Sequence, residues 1–134
     1  MAGSTSHDMV PPVLQSMTRK WISAREKPSY TWFFDRMLPG DDCGAWHSAD
    51  LWYWFGTLEN CWRPMEEKDF DLSRQMVAYL MNFCTYGDPN GAGLTAWIPA
   101  GKKVLCLGEE ATHMGNASMP KLIKTMLTNK GVGE

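Results

Sequence analysis

Residues 29–37 constrain the fold of this 134-residue chain more than any other segment. They read Ser-Tyr-Thr-Trp-Phe-Phe-Asp-Arg-Met, with almost no polar face, which is typical of a strand that is covered on both sides. One other segment, residues 103–107, predicts a short strand comparably well. Because two isolated strands do not make a stable sheet, the sequence indicates a piece of a larger α/β structure.

The remaining regular structure is predicted to be helical. A first helix is expected over residues 11–24, and a second begins at Asp69 or Asp71 and ends at Gly87. Ser118 can cap a last helix. The apolar residues that recur at helical spacing are Val13, Leu14, Met17, Trp21 and Ile22 in the first helix, Leu72, Met76, Tyr79, Leu80 and Phe83 in the second, and Met119, Leu122, Ile123, Met126 and Leu127 in the last. The chain is therefore expected to be mostly helical, with one or two short strands.

Composition narrows the range of partners and sites. The net charge of −2 gives no reason to expect a nucleic-acid or anionic-membrane partner, and no apolar run has the length of a membrane span. The four cysteines form no C-x-x-C pair and have no histidine at zinc-ligand spacing, so neither a metal site nor a cofactor is predicted. We expect free thiols in a reducing, cytoplasmic compartment.

The length fits one domain, which we take to be a single partial domain over residues 1–134. Residues 1–8 are small and polar and are expected to form a disordered terminus. His7 and Asp8 are adjacent within it, and disorder is favoured over a catalytic pair there.

His47 is the candidate functional residue, because it lies between a turn at Gly44 and a dense aromatic run. Ser48 is predicted to cap a short helix that begins at Ala49, with Asp50 in its first turn. The positive end of that helix would favour a neutral imidazole, as a general base requires. From these local features alone, a role for His47 in packing and hydrogen bonding among the aromatic rings is favoured over a catalytic one.

A resemblance to a known family changes this balance. Residues 30–58 include Tyr-Thr-Trp-Phe-Phe-Asp-Arg, Leu-Pro-Gly-Asp-Asp, Gly-Ala-Trp-His-Ser-Ala-Asp-Leu and Phe-Gly-Thr-Leu, and residues 72–91 end in Tyr-Gly-Asp-Pro-Asn-Gly. Together with the tryptophan loop at residues 94–97, they resemble the C-terminal part of the type-B carboxylesterases, which have the α/β-hydrolase fold. The order and spacing of the three segments make the resemblance specific.

The resemblance implies that His47 is the histidine of a serine-hydrolase triad acting on carboxylic esters. His7 and His113 lie outside the matching motifs. The nucleophile motif Gly-x-Ser-x-Gly occurs nowhere in the chain, and the Gly-rich oxyanion segment is missing as well. The resemblance places the acid of the triad upstream of Met1, and it gives Asp50 no such role.

Two functional hypotheses follow. In the first, the chain is the histidine-bearing C-terminal portion of a serine carboxylesterase, inactive alone, whose partner is the missing N-terminal part. In the second, it is a non-catalytic protein-interaction module with an aromatic-rich surface, which could also self-associate. The tryptophans of that surface are Trp46, Trp52, Trp54 and Trp62. We favour the view that they face the missing part of the hydrolase or line its pocket.

Overall fold

A computed structural model describes residues 1–99 and 101–117. This part of the chain contains three α-helices, one short 3-10 turn and four β-strands. In chain order they are β1 (Ala2–Thr5), α1 (Pro11–Ser23), β2 (Thr31–Phe34), α2 (Leu51–Trp54), the 3-10 turn (Leu58–Asn60), α3 (Glu67–Tyr86), β3 (Val104–Leu107) and β4 (His113–Gly115).

The strands form one mixed sheet in the order β1-β2-β3-β4. β1 and β3 are both parallel to β2, and β4 is antiparallel to β3. Alternate side chains of a strand point to opposite faces, so Phe33 and Phe34 enter different apolar clusters, and both are buried. The prediction of a strand covered on both sides is thereby confirmed.

Two of the four strands were not expected from the sequence. Residues 1–8 were expected to be disordered, yet Ala2–Thr5 forms β1 and pairs with β2 in register Ala2↔Thr31. Its residues have little intrinsic strand preference, and the neighbouring strand supplies the missing stabilisation. The indole of Trp32 lies directly over Gly3, where any Cβ atom would overlap the ring. Glycine is required there because the Trp32 ring approaches the backbone too closely for a side chain.

Two of the predicted helices are confirmed. α1 and α3 lie where the apolar spacing placed them, and Gly87 ends α3 with φ of 74° and an N–H that donates to Phe83 O. The start of α3 differs: Glu66 is the N-cap, and Asp69 accepts its backbone N–H at 2.8 Å from the third helical position. The helix predicted from Ser118 lies outside the described residues.

The principal core surrounds Trp97, which is 1% exposed. Its indole N–H donates to Thr31 O at 3.0 Å. The side-chain amide of Asn90 accepts the backbone N–H of Trp97 at 2.6 Å and donates to its carbonyl at 3.0 Å. The rings that pack around the indole belong to Tyr30, Trp32, Trp54 and Tyr79. The Asp-Pro-Asn turn thus fixes the tryptophan loop against the end of the sheet.

A buried ion pair joins β2 to α3. Arg36 donates from Nε and Nη2 to the two carboxylate oxygens of Asp69 at 2.6 and 3.2 Å, and Asp69 is 0% exposed. The Tyr53 hydroxyl donates to Asp69 Oδ1 at 2.7 Å, and Arg36 Nη1 donates to Glu109 at 2.7 Å. Every polar atom of Asp69 therefore has a partner, as a buried charge requires.

These bonds also set the titration of Asp69. Burial acts to raise the pKa of Asp69, but the hydrogen bonds from Arg36, Glu66 N–H and Tyr53 outweigh it and hold the pKa below the usual 3.8. The stability that this shift contributes is present above pH 3.8. It is lost as the pH falls through the lower pKa of the folded state.

The four cysteines, which all lie in the described ranges, are free thiols. Within the same ranges, none of the helices combines the length and the apolar character needed to cross a membrane.

Replacing Asp69 by Asn should destabilise the fold strongly, because the buried Arg36 guanidinium would lose the one fully buried carboxylate that it contacts within the described residues. We expect a loss of about 3–5 kcal/mol in the free energy of unfolding, measured by urea denaturation followed by circular dichroism. Asp71→Asn is the matched control, since Asp71 pairs with Arg74 on the exposed side of α3 and should cost less than about 1 kcal/mol. Equal losses in the two variants would contradict the assignment.

Candidate active site

His47 lies in the segment that leaves the carboxyl end of β2, which we call the His47 loop (residues 35–50). Two glycines with positive φ shape the loop, Gly40 at 100° and Gly44 at 66°. Side chains are strained in that backbone region, and glycine is not. At Gly44 a Cβ atom would also lie 3.0 Å from the ring of His7. The loop therefore turns sharply and packs closely against the end of β1.

Asp8 meets His47 at this edge of the sheet. Nδ1 of His47 lies 3.1 Å from both carboxylate oxygens of Asp8. The Asp8 side chain is 8% exposed, whereas that of His47 is 71% exposed. An ionised carboxylate only accepts hydrogen bonds, so Nδ1 carries the donated proton. In the neutral ring Nε2 is then the basic atom, on the imidazole edge opposite Asp8.

The backbone holds these two residues together. Asp8 follows the carboxyl end of β1, and His47 follows that of the neighbouring parallel strand β2. His7 N–H donates to Ala45 O at 2.9 Å, and Met9 N–H donates to Asp8 Oδ1 at 2.8 Å. Ligands of open α/β sheets bind outside the carboxyl ends of the strands, and the Asp8–His47 pair lies at such an edge.

The segment after His47 differs from the prediction. Ser48 has φ of 66° and makes no side-chain cap, and α2 begins only at Leu51, with Asp50 at its N-cap. The intervening residues form hydrogen-bonded turns, among them Ala49 N–H to Trp46 O at 3.1 Å. A helix of four residues that starts this far from His47 has little dipole to act on the imidazole. The Asp8 carboxylate, not a helix end, is what orients the ring.

Asp50 has a different role from the one predicted for it. Its Oδ2 accepts the indole N–H of Trp32 and that of Trp54, each at 3.2 Å. Burial raises the pKa of Asp50 above its ordinary value and the charge of Asp8 adds to the rise, while the two indole bonds oppose it. Asp50 thus anchors α2 to the sheet beneath the histidine.

The other candidate residues are distributed as follows. His7 packs against Gly44 and has Ser6 Oγ 2.9 Å from its Nδ1, whereas His113 lies on β4 at the opposite edge of the sheet. Among the tryptophans of the aromatic run, Trp54 is buried and Trp46 and Trp52 are partly buried against the core. Trp62 is 72% exposed. In the described part of the chain, the side-chain hydrogen bonds of His47 go to Asp8.

The carboxylesterase family model matches residues 4–125, which is nearly the whole chain. The chain belongs to the carboxylesterase family. No curated protein matches it significantly. The match includes both Asp8 and His47.

Parts of several solved structures have the same fold as this chain. One is an esterase from anaerobic Clostridium hathewayi, described as able to hydrolyse aliphatic aromatic polyesters: it is 20% identical, with a TM-score of 0.68 over 88% of this chain and 24% of that one. A PNB esterase is 17% identical, with a TM-score of 0.56 over 74% and 21% of the two chains. A thermophilic PNB esterase is 18% identical, with a TM-score of 0.58 over 74% and 22%. The family match and these structures confirm that the chain has the fold of an α/β-hydrolase portion, and it spans about a quarter of their length or less.

Asp8 is the residue that sequence reasoning set aside. The signal in the sequence was that Asp8 is adjacent to a histidine, His7, in a stretch whose composition indicates disorder. The role of Asp8 is apparent only from the parallel pairing of β1 with β2, which brings Asp8 and His47, 39 residues apart in the chain, into contact.

The shifted pKa of Asp50 gives a pH-dependent prediction. Because the folded-state pKa is raised, the folded state holds the proton more tightly, and stability falls as the pH rises from 3.8 through the folded value. Asp50→Asn removes that titration. The free energy of unfolding of Asp50→Asn minus that of the unaltered chain should therefore increase over this pH range and then level off. Urea denaturation across the pH range measures this, and a constant difference would contradict it.

Proposed function

We propose that this chain is the histidine-bearing part of a serine carboxylesterase, in which His47 is the general base and Asp8 is the carboxylate that orients it. The observation that carries the proposal is the contact of His47 Nδ1 with both oxygens of the buried Asp8, which leaves Nε2 on the exposed side. A carboxylate that accepts from Nδ1 fixes the tautomer needed for base catalysis at Nε2.

The chemistry expected of this pair is acyl transfer. Nε2 of His47 removes the proton from a serine hydroxyl as the oxygen attacks the ester carbonyl, and it then returns that proton to the leaving alcohol. Water repeats the cycle on the acyl-enzyme and releases the acid. Through both steps Asp8 stays ionised and stabilises the imidazolium that forms at His47. The substrate class is a carboxylic ester.

The nucleophile must come from outside these 134 residues, because no serine in the chain stands in a Gly-x-Ser-x-Gly motif. The chain spans about a quarter of the length of the esterase structures it matches. An apolar stripe is exposed on the outer face of α1, as expected if another protein surface packs against this helix. On α1 that stripe consists of Val13, Met17 and Trp21, and it continues through Met9 and Val10 just before the helix. We take its partner to be the rest of the hydrolase, in the same polypeptide or in a second one, working in a reducing cytoplasm.

A fluorophosphonate probe tests this proposal, because it labels a serine only when the serine is activated by its base. The 134-residue chain alone should remain unlabelled and should not hydrolyse p-nitrophenyl acetate. The natural protein that contains the chain, isolated from its own cells through a tag, should be labelled, and His47→Gln should abolish the labelling. Asp8→Asn should lower kcat by about 10³–10⁴-fold, since the ring loses its fixed tautomer.

Asp42→Asn is the matched control, because Asp42 is an exposed carboxylate of the same loop. It should leave labelling and kcat within about twofold of the unaltered protein. Hydrolysis by the isolated chain that persists in His47→Gln would overturn the proposal, as would labelling of the natural protein that does not depend on His47.

A further inference from the structure

Arg63 contacts two separate parts of the His47 loop, the turn at Pro39–Asp41 and the indole of Trp46. It lies between the 3-10 turn and α3, and its side chain is only 5% exposed. A buried arginine needs partners for its charge, and the described partners of Arg63 come from residues 39–46 and from Trp62. Nothing in the proposed reaction uses this residue directly.

The first contact of the guanidinium is with the Pro39–Asp41 turn of the His47 loop. Nη1 donates to Pro39 O at 2.8 Å, and Nη2 donates to Asp41 Oδ2 at 2.6 Å. The hydrogen bond from Arg63, joined by that from Cys43 N–H, lowers the pKa of Asp41 to about 2. The turn itself packs tightly here, since a Cβ atom on Gly40 would lie 3.2 Å from the Trp62 ring.

The second contact is with Trp46 of the same loop: the guanidinium lies over the indole, with a distance of 4.5 Å from Arg63 Cζ to the ring centroid. It lies 4.7 Å from the centroid of Trp62 as well. Trp46 is the residue immediately before His47, and its backbone forms a bridge with His7, the residue before Asp8. One planar cation therefore connects the Pro39–Asp41 turn to Trp46, which precedes His47 in the chain and bridges to the residue before Asp8.

We propose that Arg63 is a positioning residue, which holds residues 39–46 in the conformation that places His47 against Asp8. This inference rests on the proposed function for its catalytic consequence. Arginine is suited to the task because its flat, forked group can donate to two acceptors and still cover an aromatic face. The buried Nε of Arg63 has no hydrogen-bond acceptor among the described residues. The position of the guanidinium therefore does not satisfy all of its own hydrogen bonds. Lysine keeps the charge but cannot make these contacts together.

The test compares Arg63→Lys and Arg63→Gln with Arg74→Gln in the 134-residue chain. Arg74 is a suitable control because it also binds two carboxylates, those of Glu67 and Asp71, but on the exposed side of α3. Nuclear magnetic resonance of ¹⁵N-labelled histidine reports the proton on His47 Nδ1 and the hydrogen bond of that proton to Asp8. In molecules that stay folded, a general loss of stability does not change this signal. All spectra are taken where urea titration shows each variant to be folded.

We expect both Arg63 variants to lose the ¹⁵N signature of a His47 ring protonated at Nδ1, while Arg74→Gln keeps it. In the natural esterase, Arg63→Lys should lower kcat by about 100-fold with KM nearly unchanged, because a small displacement of the base costs that much. An Arg63→Lys variant with the unaltered His47 signal and unaltered kcat would overturn the inference. If His47→Gln left esterase activity intact while Arg63→Lys still changed the imidazole signal, the proposed function would fail and the positioning role would stand.

Discussion

The ion pair between Arg36 and Asp69 is the interaction on which the rest of the structure depends. Arg36 follows β2, Asp69 lies in the first turn of α3, and Tyr53 of α2 donates to the carboxylate of Asp69. Three elements from distant parts of the sequence therefore meet at one buried charge. Because an unpaired charge there would be costly, the arrangement that satisfies these bonds is favoured, and it holds Arg36 and Tyr53, which lie on either side of His47 in the chain.

Above this anchor, the site is assembled from two neighbouring parallel strands. β1 delivers Asp8 and β2 delivers His47, and the backbone bond from His7 to Ala45 keeps the two loops together. Main-chain pairing thus holds the loops that carry the pair, Asp8 is buried, and the His47 imidazole is exposed. An exposed imidazole on a rigid support is what we expect if the remaining components of the site, the serine nucleophile among them, come from protein outside these 134 residues.

The sequence predicted the parts of the structure that depend on local pattern. Helix α3 follows from its apolar spacing and from Gly87, and β2 follows from its unbroken apolar run. Asp8 could not be predicted, because its importance comes from a partner strand and not from its own neighbours. Ser48 was assigned the usual role of a cap, but the chain needed a left-handed turn there instead. Arg63 gave no signal, since its partners lie up to 24 residues away.

The grouping of tryptophans around Trp97 has an optical consequence. The rings of Trp54 and Trp97 stack at 22° with their centroids 6.5 Å apart, and Trp32 meets both at its edges. Indole transitions held at such fixed distances and angles couple to one another and give strong circular dichroism bands in the near ultraviolet. Since these rings belong to β2, α2 and the tryptophan loop, the bands report directly whether the elements beneath His47 are assembled, without any added label.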